Sequence, residues 1–133
     1  FGKWGLGEHG SAGEPNDQGF DEWLGFLNQK RAHDHYIHYF WQNKDTFFLK
    51  GNSPKYNVNN TTYSHDLFTQ YALDFVAQNK DTSFFLYLPY CLPHDAYQIP
   101  SEDTLKFTDK AWTANEKVYA AMVEKVDKDV GQL

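Results

Sequence analysis

One short apolar run, residues 84–88 (FFLYL), limits what this chain can fold into more than any other feature. The run is continuous and aromatic, and Pro89 ends it, which is typical of a strand buried on both faces of a mostly parallel sheet. Such a strand needs paired neighbours on both of its edges, and a single one cannot form a stable sheet. We therefore expect this chain to be an internal fragment of a longer protein, truncated at both ends.

Two helices are predicted, one on either side of this strand in sequence. Ser64 is a candidate N-cap for a helix over residues 66–78, with Asp66 in its first turn. Thr113 and Glu116 have the spacing of a capping box that begins a second helix. The expected apolar positions are Leu67, Tyr71, Leu73, Phe75 and Val76 in the first helix and Tyr119, Met122, Val126 and Val130 in the second, with Asp127 and Asp129 facing solvent.

The rest of the chain predicts loops and a hairpin. Residues 2–16 are rich in glycine and are expected to form a folded loop, and residues 19–27 a short helical turn or an irregular stretch. Residues 35–41 alternate in type, and together with residues 46–49 they suggest a β-hairpin. Helix, strand and helix in this order favour an α/β fold, here one domain with a β-hairpin insertion.

Composition and charge argue against several classes of function. An apolar content of 41% suits one modest domain. The net charge of −6, with no basic stripe, argues against nucleic acid as a partner. No apolar run approaches the roughly 18 residues of a membrane span. Cys91 is the one cysteine, so an internal disulfide cannot form, and we expect a buried, small apolar residue there.

Lys3 and His94 are the first candidates for binding and chemistry. Lys3 lies between glycines in a loop where an ammonium could hold an oxyanion such as sulfate or phosphate, although most such lysines are simply solvated. His94 follows the expected buried strand, where open α/β sheets place ligands and reacting groups. Its imidazole could donate a proton to a leaving oxygen near neutral pH, or it could only cap the loop through a backbone hydrogen bond.

Three further histidines, His33, His35 and His38, invite a metal interpretation. On a strand, His33 and His35 would share a face while His38 points away, and no carboxylate or cysteine completes an obvious set of ligands. We therefore predict no metal ligands in this chain. His33 lies closest to the preceding loop and is the best candidate for a substrate pocket.

The order and separation of three motifs closely resemble the arylsulfatase-type sulfatases. The motifs are residues 2–7 (GKWGLG), residues 18–25 (QGFDEWLG), and residues 84–88 (FFLYL) followed by Pro93 and His94. The resemblance covers essentially the whole chain and implies that residues 1–133 are part of a sulfatase catalytic domain. It also implies the alkaline-phosphatase-like α/β sandwich, with a mostly parallel sheet flanked by helices.

The resemblance implies hydrolysis of sulfate esters by a formylglycine, made from cysteine in a Cys-x-Pro-x-Arg motif, together with a calcium ion. Neither is expected in this chain. No arginine stands two residues after Pro93, so Cys91 does not match the nucleophile, and the calcium ligands would lie outside residues 1–133. Lys3 matches the family lysine that binds sulfate oxygens. His94 matches the histidine that contacts the sulfate and is a candidate proton donor to the leaving alcohol.

Gly5 stands where many relatives have a histidine that helps to position or deprotonate the formylglycine hydrate. A branch of similar sequences shares this glycine, together with a segment like residues 29–33 (QKRAH). We therefore hypothesise that His33 supplies the missing imidazole and that Gln29 lies near the sulfate. On this hypothesis, replacing His33 with alanine costs far more turnover than replacing His38.

Three alternatives to an active sulfatase remain open from the sequence. The first is a sulfatase-like scaffold without activity. The second is a phosphoryl-transfer enzyme of the same superfamily, which would need a serine or threonine nucleophile and a pair of zinc ions. The third is a carbohydrate-binding module with an all-β fold, built on exposed Trp4, Trp41 and Tyr36.

The expected substrate is a sulfated small molecule or glycan, and the family resemblance implies a periplasmic, secreted or lysosomal location. Substrate specificity in such folds lies on loops, and here residues 52–60 are expected to contribute to it.

Overall fold

The computed structural model describes residues 1–55 and 60–133. Residues 56–59 belong to the stretch expected to influence specificity, and they lie outside the described residues. In the described ranges the strands are β1 (Gly2–Lys3), β2 (Leu24–Phe26), β3 (Tyr39–Gln42) and β4 (Asp45–Phe48), and the α-helices are α1 (Ser64–Asn79) and α2 (Ala114–Val130). Short 3-10 helices cover Pro15–Gln18, Arg31–His33 and Ser101–Phe107. The predicted α/β class is confirmed.

The four strands form one sheet in the order β1-β2-β3-β4, and its strand directions differ from the mostly parallel sheet that we expected. β1 and β2 run parallel, with Lys3 opposite Phe26. β2 and β3 run antiparallel, and so do β3 and β4. The antiparallel pairing of β3 and β4 comes from the predicted hairpin, which is confirmed. A two-residue turn reverses the chain at Asn43, whose φ is 52°.

Residues 84–88 do not form the strand that we predicted, although they lie beside β1. The Phe1 nitrogen donates to the Tyr87 carbonyl at 2.8 Å, and the Lys3 amide donates to the Pro89 carbonyl at 3.0 Å. The partner residue moves forward from Tyr87 to Pro89 as the donor moves forward from Phe1 to Lys3, so this segment runs parallel to β1. The prediction of burial on both faces is also wrong, because Phe85 is 75% exposed while Leu86 packs against the core.

β2 occupies a segment that we expected to be helical or irregular. Leu24 and Phe26 are buried and belong to the main hydrophobic core. Gly25 lies between them, where β1 and β2 come very close together. A Cβ built on Gly25 would lie 1.8 Å from the Gly2 carbonyl oxygen. Only a residue without a side chain permits this approach, so this glycine is what allows the two strands to pair.

α1 begins and ends close to the predicted bounds, but its buried stripe is shifted by one residue. Tyr63 is the N-cap, and its side chain makes no capping hydrogen bond, so Ser64 is the first helical residue and not the cap. Phe68 and Ala72 are fully buried, whereas Leu67, Tyr71 and Phe75 are partly buried against the same core. The shift arises because the Phe68 ring packs against the sheet, 4.9 Å from the ring of Phe40.

α2 has the capping box predicted from Thr113 and Glu116, each side chain bonding the backbone amide of the other. Met122 is fully buried, as predicted, whereas Tyr119 and Val130 are exposed. The prediction that Asp129 faces solvent is wrong, because this carboxylate is buried against α1. In the part of the chain that the structure describes, no helix is both long and apolar enough to cross a membrane.

Candidate oxyanion site at the carboxyl edge of the sheet

Three extended segments end at the same edge of the sheet and carry the predicted site residues there. β1, β2 and the segment before Pro89 all run in parallel, so their carboxyl ends emerge together. This edge is where α/β sheets bind ligands. Lys3 closes β1, Gln29 follows β2, and His94 follows the third segment.

Lys3 is held by its backbone beside the segment that leads to His94. Its amide donates to the Pro89 carbonyl at 3.0 Å, and its side chain is half-buried. Burial raises the pKa of the Cys91 thiol to about 12, and the positive charge of Lys3 opposes part of that rise. The Lys3 ammonium is therefore close enough to interact electrostatically with Cys91, which lies three residues before His94.

Gln29 fills the space beside Gly5. Gly5 adopts φ 72°, and its amide donates to the Leu27 carbonyl at 3.1 Å. A Cβ built on Gly5 would lie 2.6 Å from the Gln29 amide nitrogen, so a larger residue would displace this side chain. Gln29 is thus the side chain next to Gly5, whereas the hypothesis that His33 supplies the imidazole missing at this position stays a prediction.

His33 and His94 are brought together from two distant parts of the sequence. Their ring centroids are 4.5 Å apart, with an interplanar angle of 72°. His33 is exposed at the end of the 3-10 helix Arg31–His33, and the His94 side chain is 25% exposed. Nδ1 of His94 lies 2.6 Å from an oxygen of Asp95. The two imidazoles therefore form one edge-to-face pair with an adjacent carboxylate.

His35 lies behind this pair and was missed as a site residue. It is fully buried, its ring centroid is 6.4 Å from that of His94, and its amide donates to the Gln98 side chain at 2.7 Å. Its ring nitrogens have no hydrogen-bond partner among the described residues. Burial, and then the neighbouring His94, lower the pKa of His35 to about 4. The imidazole is therefore neutral at physiological pH.

The strand geometry that we assumed for the three histidines is wrong, because His33 ends a 3-10 helix and His35 turns into the core. His38 lies away from the pair, with its ring 4.8 Å from that of Tyr39. Asp95 was also missed as a site residue. Its position directly after His94 in the sequence is the signal that could have identified it.

The described residues do not fit the calcium and formylglycine of the sulfatases. Calcium prefers a shell of six to eight oxygens. The described cluster with metal-ligand spacing contains His33, His94 and Asp95, which offer nitrogen twice and oxygen once. Cys91 is buried in the main core, as we expected, and Asp95 stands where the nucleophile motif requires arginine. No step of the chemistry below uses either group.

The aromatic residues proposed for a carbohydrate-binding module each contact a different neighbour. Trp4 is half-buried and donates from Nε1 to the Gly13 carbonyl at 2.7 Å. Trp41 stacks on His9, with ring centroids 4.0 Å apart, and Tyr36 packs against Tyr63 at 5.1 Å. Because α1 and α2 also exclude an all-β fold, the carbohydrate-binding module is the wrong interpretation.

The structure is an α/β fold in which Lys3 and the His33–His94 pair follow strands or extended segments that end at one edge of the sheet. The sulfatase family model matches residues 1–133, and the chain belongs to the sulfatase family. It is similar to a crystal structure of Ps i-CgsB, with a TM-score of 0.71 and 31% identity over 99% of this chain. A structure of Ps i-CgsB in complex with k-i-k-neocarrahexaose gives a TM-score of 0.70 and 31% identity, again over 99% of this chain. The chain spans 31% of each of these relatives.

Proposed function

We propose that this chain forms the sulfate-binding wall of an enzyme that hydrolyses sulfate esters of a glycan. The observation that carries the proposal is the His33–His94 pair, with ring centroids 4.5 Å apart, at the edge of the sheet where Lys3 ends β1. A sulfate ester is an anion with three terminal oxygens and one bridging oxygen. A fixed ammonium and imidazole N–H groups are the donors that such an anion requires.

Lys3 and Gln29 are assigned to the terminal oxygens of the sulfate. The Lys3 ammonium supplies the compensating charge and is positioned by its backbone bond to Pro89. The Gln29 amide, which packs against Gly5, donates a hydrogen bond without adding charge. Together they hold the ester so that its bridging oxygen faces the imidazoles.

His94 is assigned to the leaving group. When the sulfur–oxygen bond breaks, the bridging oxygen leaves as an alkoxide unless it receives a proton. His94 is partly exposed to a ligand, and its Nδ1 lies 2.6 Å from the Asp95 carboxylate, although the geometry does not make a hydrogen bond. The proton therefore comes from Nε2, the nitrogen that faces away from Asp95. His33 packs edge to face against His94 and donates to the same ester.

Two observations support a glycan as the substrate. Ps i-CgsB forms a complex with the oligosaccharide k-i-k-neocarrahexaose. In this chain, a cavity of about 430 Å³ begins three residues after His94 and is lined by the exposed rings of Tyr97, Trp112 and Tyr119. Aromatic faces beside polar groups suit the apolar faces of sugar rings. The Tyr97 amide donates to the His94 carbonyl at 3.3 Å, which couples this cavity to the site.

Steady-state kinetics on the complete protein test the proposal. The substrates are 4-nitrocatechol sulfate and a panel of sulfated oligosaccharides, and sulfate release is measured for wild type, Lys3→Ala, His33→Ala and the control His38→Ala. We expect Lys3→Ala and His33→Ala to lose most of the turnover while His38→Ala retains it. Release that is indifferent to Lys3, or equal losses at His33 and His38, would contradict the assignment. Release of phosphate but not sulfate would favour the phosphoryl-transfer alternative.

From the family resemblance we also propose three properties of the complete protein that this chain's own residues do not supply. They are a formylglycine, a calcium ion, and a location in the periplasm, in the lysosome or outside the cell. Peptide mass spectrometry would detect the oxidised cysteine, elemental analysis would detect calcium, and cell fractionation would give the location. Calcium-free, formylglycine-free protein with full activity would contradict this part of the proposal.

A further inference from the structure

We propose that His33, His94 and Asp95 form a binding site for a divalent transition metal, with Zn²⁺ as the preferred ion. One ligand atom from each residue lies within 4.8 Å of the other two. Two imidazole nitrogens and one carboxylate oxygen are a mixed donor set that suits zinc, and three protein ligands leave the fourth position open. The set differs from the all-oxygen shell that calcium requires.

The arrangement needs only a small adjustment to hold an ion. Ligands about 2.1 Å from a tetrahedral zinc lie roughly 3.4 Å from one another. Nδ1 of His94 and the Asp95 oxygen are 2.6 Å apart, so these two atoms would have to separate by about 0.8 Å. His33 and Asp95 are both exposed, so their side chains can rotate toward His94 without disturbing the core. The third ligand, His33, is already close to the other two, because its ring contacts the ring of His94.

The ligands come from segments that the fold already holds together. His33 closes the 3-10 helix after β2, while His94 and Asp95 follow the segment that runs beside β1. His35 is excluded from the set, because its ring is fully buried behind His94. A site assembled by the backbone in this way binds metal with less conformational cost than one formed by free side chains.

Zinc at this position uses the imidazoles that the proposed function assigns to the sulfate ester. An ion held between these side chains occupies the place that the proposed function gives to the bridging oxygen of the ester, so zinc is expected to inhibit sulfate release. This consequence rests on the proposed function, whereas the metal site itself does not. Binding weakens at acidic pH, since imidazole ligands must be unprotonated to bind the ion.

Isothermal titration of the complete protein with ZnCl₂ tests the site, after removal of bound zinc with a chelator and restoration of calcium. We expect His33→Ala and Asp95→Asn to weaken one zinc site by at least ~10-fold, the loss produced even by removing outer-sphere partners of a metal. The matched controls His38→Ala and Asp81→Asn lie outside the cluster and should bind zinc as wild type does.

Titration with Co²⁺ gives a second readout, because visible absorption reports nitrogen and oxygen coordination directly. Zinc binding that is absent, or that is equally tight in wild type and both cluster variants, would overturn the site. If His33→Ala failed to fold by thermal melting, His33→Gln would be measured in its place. Zinc binding at this cluster in a protein that releases no sulfate even when it is free of zinc would leave the site established and would contradict the proposed function instead.

Discussion

Among the described residues, two histidine–aspartate pairs are similar in composition and opposite in environment. The side chains of His65 and Asp129 are 1% and 9% exposed, with an Nε2 to oxygen distance of 3.0 Å. Those of His94 and Asp95 are 25% and 76% exposed, with an Nδ1 to oxygen distance of 2.6 Å. Burial, rather than residue type, separates a structural pair from one that is available to a ligand.

The buried pair is part of a network in which each hydrogen has a defined acceptor. Nε2 of His65 and the Thr69 hydroxyl both donate to one oxygen of Asp129, each at 3.0 Å. Since the Thr69 hydroxyl has a single proton, Tyr90 must be the donor in its 2.8 Å bond to Thr69. Burial lowers the pKa of His65, against the opposing charge of Asp129. This network joins α1 to α2 and to the segment before His94.

Among the described residues, the exposed pair has no such network. Asp95 contacts His94 but is mostly in solvent, and in that part of the chain the His94 ring lies near the rings of His33 and, at a greater distance, His35. An exposed ion pair adds little to stability because water screens it. Substitutions at the exposed pair should therefore change function, and substitutions at the buried pair should change stability.

The largest expected effect is on the chemistry of the exposed pair. His94→Ala should lower turnover of a sugar sulfate by about 10²–10⁴, the usual contribution of a general acid. Turnover of 4-nitrocatechol sulfate should fall less, because its acidic leaving group needs no proton. Kinetics on both substrates, at matched saturation, measure the difference. An equal loss on the two substrates would show that His94 does not protonate the leaving group.

The next largest effect is on stability at the buried pair. Asp129→Ala removes the acceptor for both His65 and Thr69 and should lower the free energy of unfolding by about 3 kcal/mol or more. Asp127→Ala, an exposed position on the same helix, should stay within about 0.5 kcal/mol of wild type. Urea denaturation of the complete protein compares them. Equal effects at the two aspartates would remove the distinction between the pairs.

A smaller effect is expected at His35, which lies between the two pairs. Burial lowers its pKa to about 4, so the unfolded chain, in which a histidine has a pKa near 6.5, binds the proton more readily. Its contribution to stability is present above about pH 6.5 and is lost as the pH falls through that window toward 4, amounting to about 2 kcal/mol by pH 5.

His35→Phe tests this pH dependence. The ring nitrogens of His35 have no hydrogen-bond partner among the described residues, so phenylalanine can occupy the site without losing a bond. Urea denaturation at pH 7.5 and pH 5 should show a smaller loss in the variant than in wild type. The same loss in both proteins would mean that His35 keeps an ordinary pKa.

The smallest effect is expected on stability at the exposed carboxylate. Asp95→Asn should change the free energy of unfolding by less than about 0.5 kcal/mol, because the Asp95 side chain is 76% exposed. Thermal melting of the complete protein provides the measurement. A loss as large as that at Asp129 would place Asp95 in the structural class and would weaken its assignment as a zinc ligand.

Local signals in the sequence predicted the elements whose causes are local. The capping box at Thr113 and Glu116 and the hairpin of β3 and β4 depend on neighbouring residues, and both are confirmed. The burial of Asp129 depends on a partner 64 residues away, so the charge alone misleadingly indicated a solvated face. The apolar run at residues 84–88 showed an extended segment but not how much of each face would be covered.

In the candidate site too, the residues could be predicted from local sequence, whereas the contacts between distant segments could not. Lys3, Gln29, His33 and His94 are predictions from the sequence, because the motifs that carry the family resemblance contain or adjoin them. The contact between His33 and His94 could not be foreseen, since it depends on how β2 and the segment beside β1 end at one edge. The metal-ligand spacing of the cluster is a consequence of that contact.

A crystal structure of the complete protein, trapped without turnover with a sulfated oligosaccharide, would show directly where the sulfate binds. We expect terminal sulfate oxygens within about 3.2 Å of Lys3 Nζ, and the bridging oxygen within the same distance of a His94 nitrogen. A sulfate bound away from both side chains would contradict the claim that this edge of the sheet is the sulfate-binding wall.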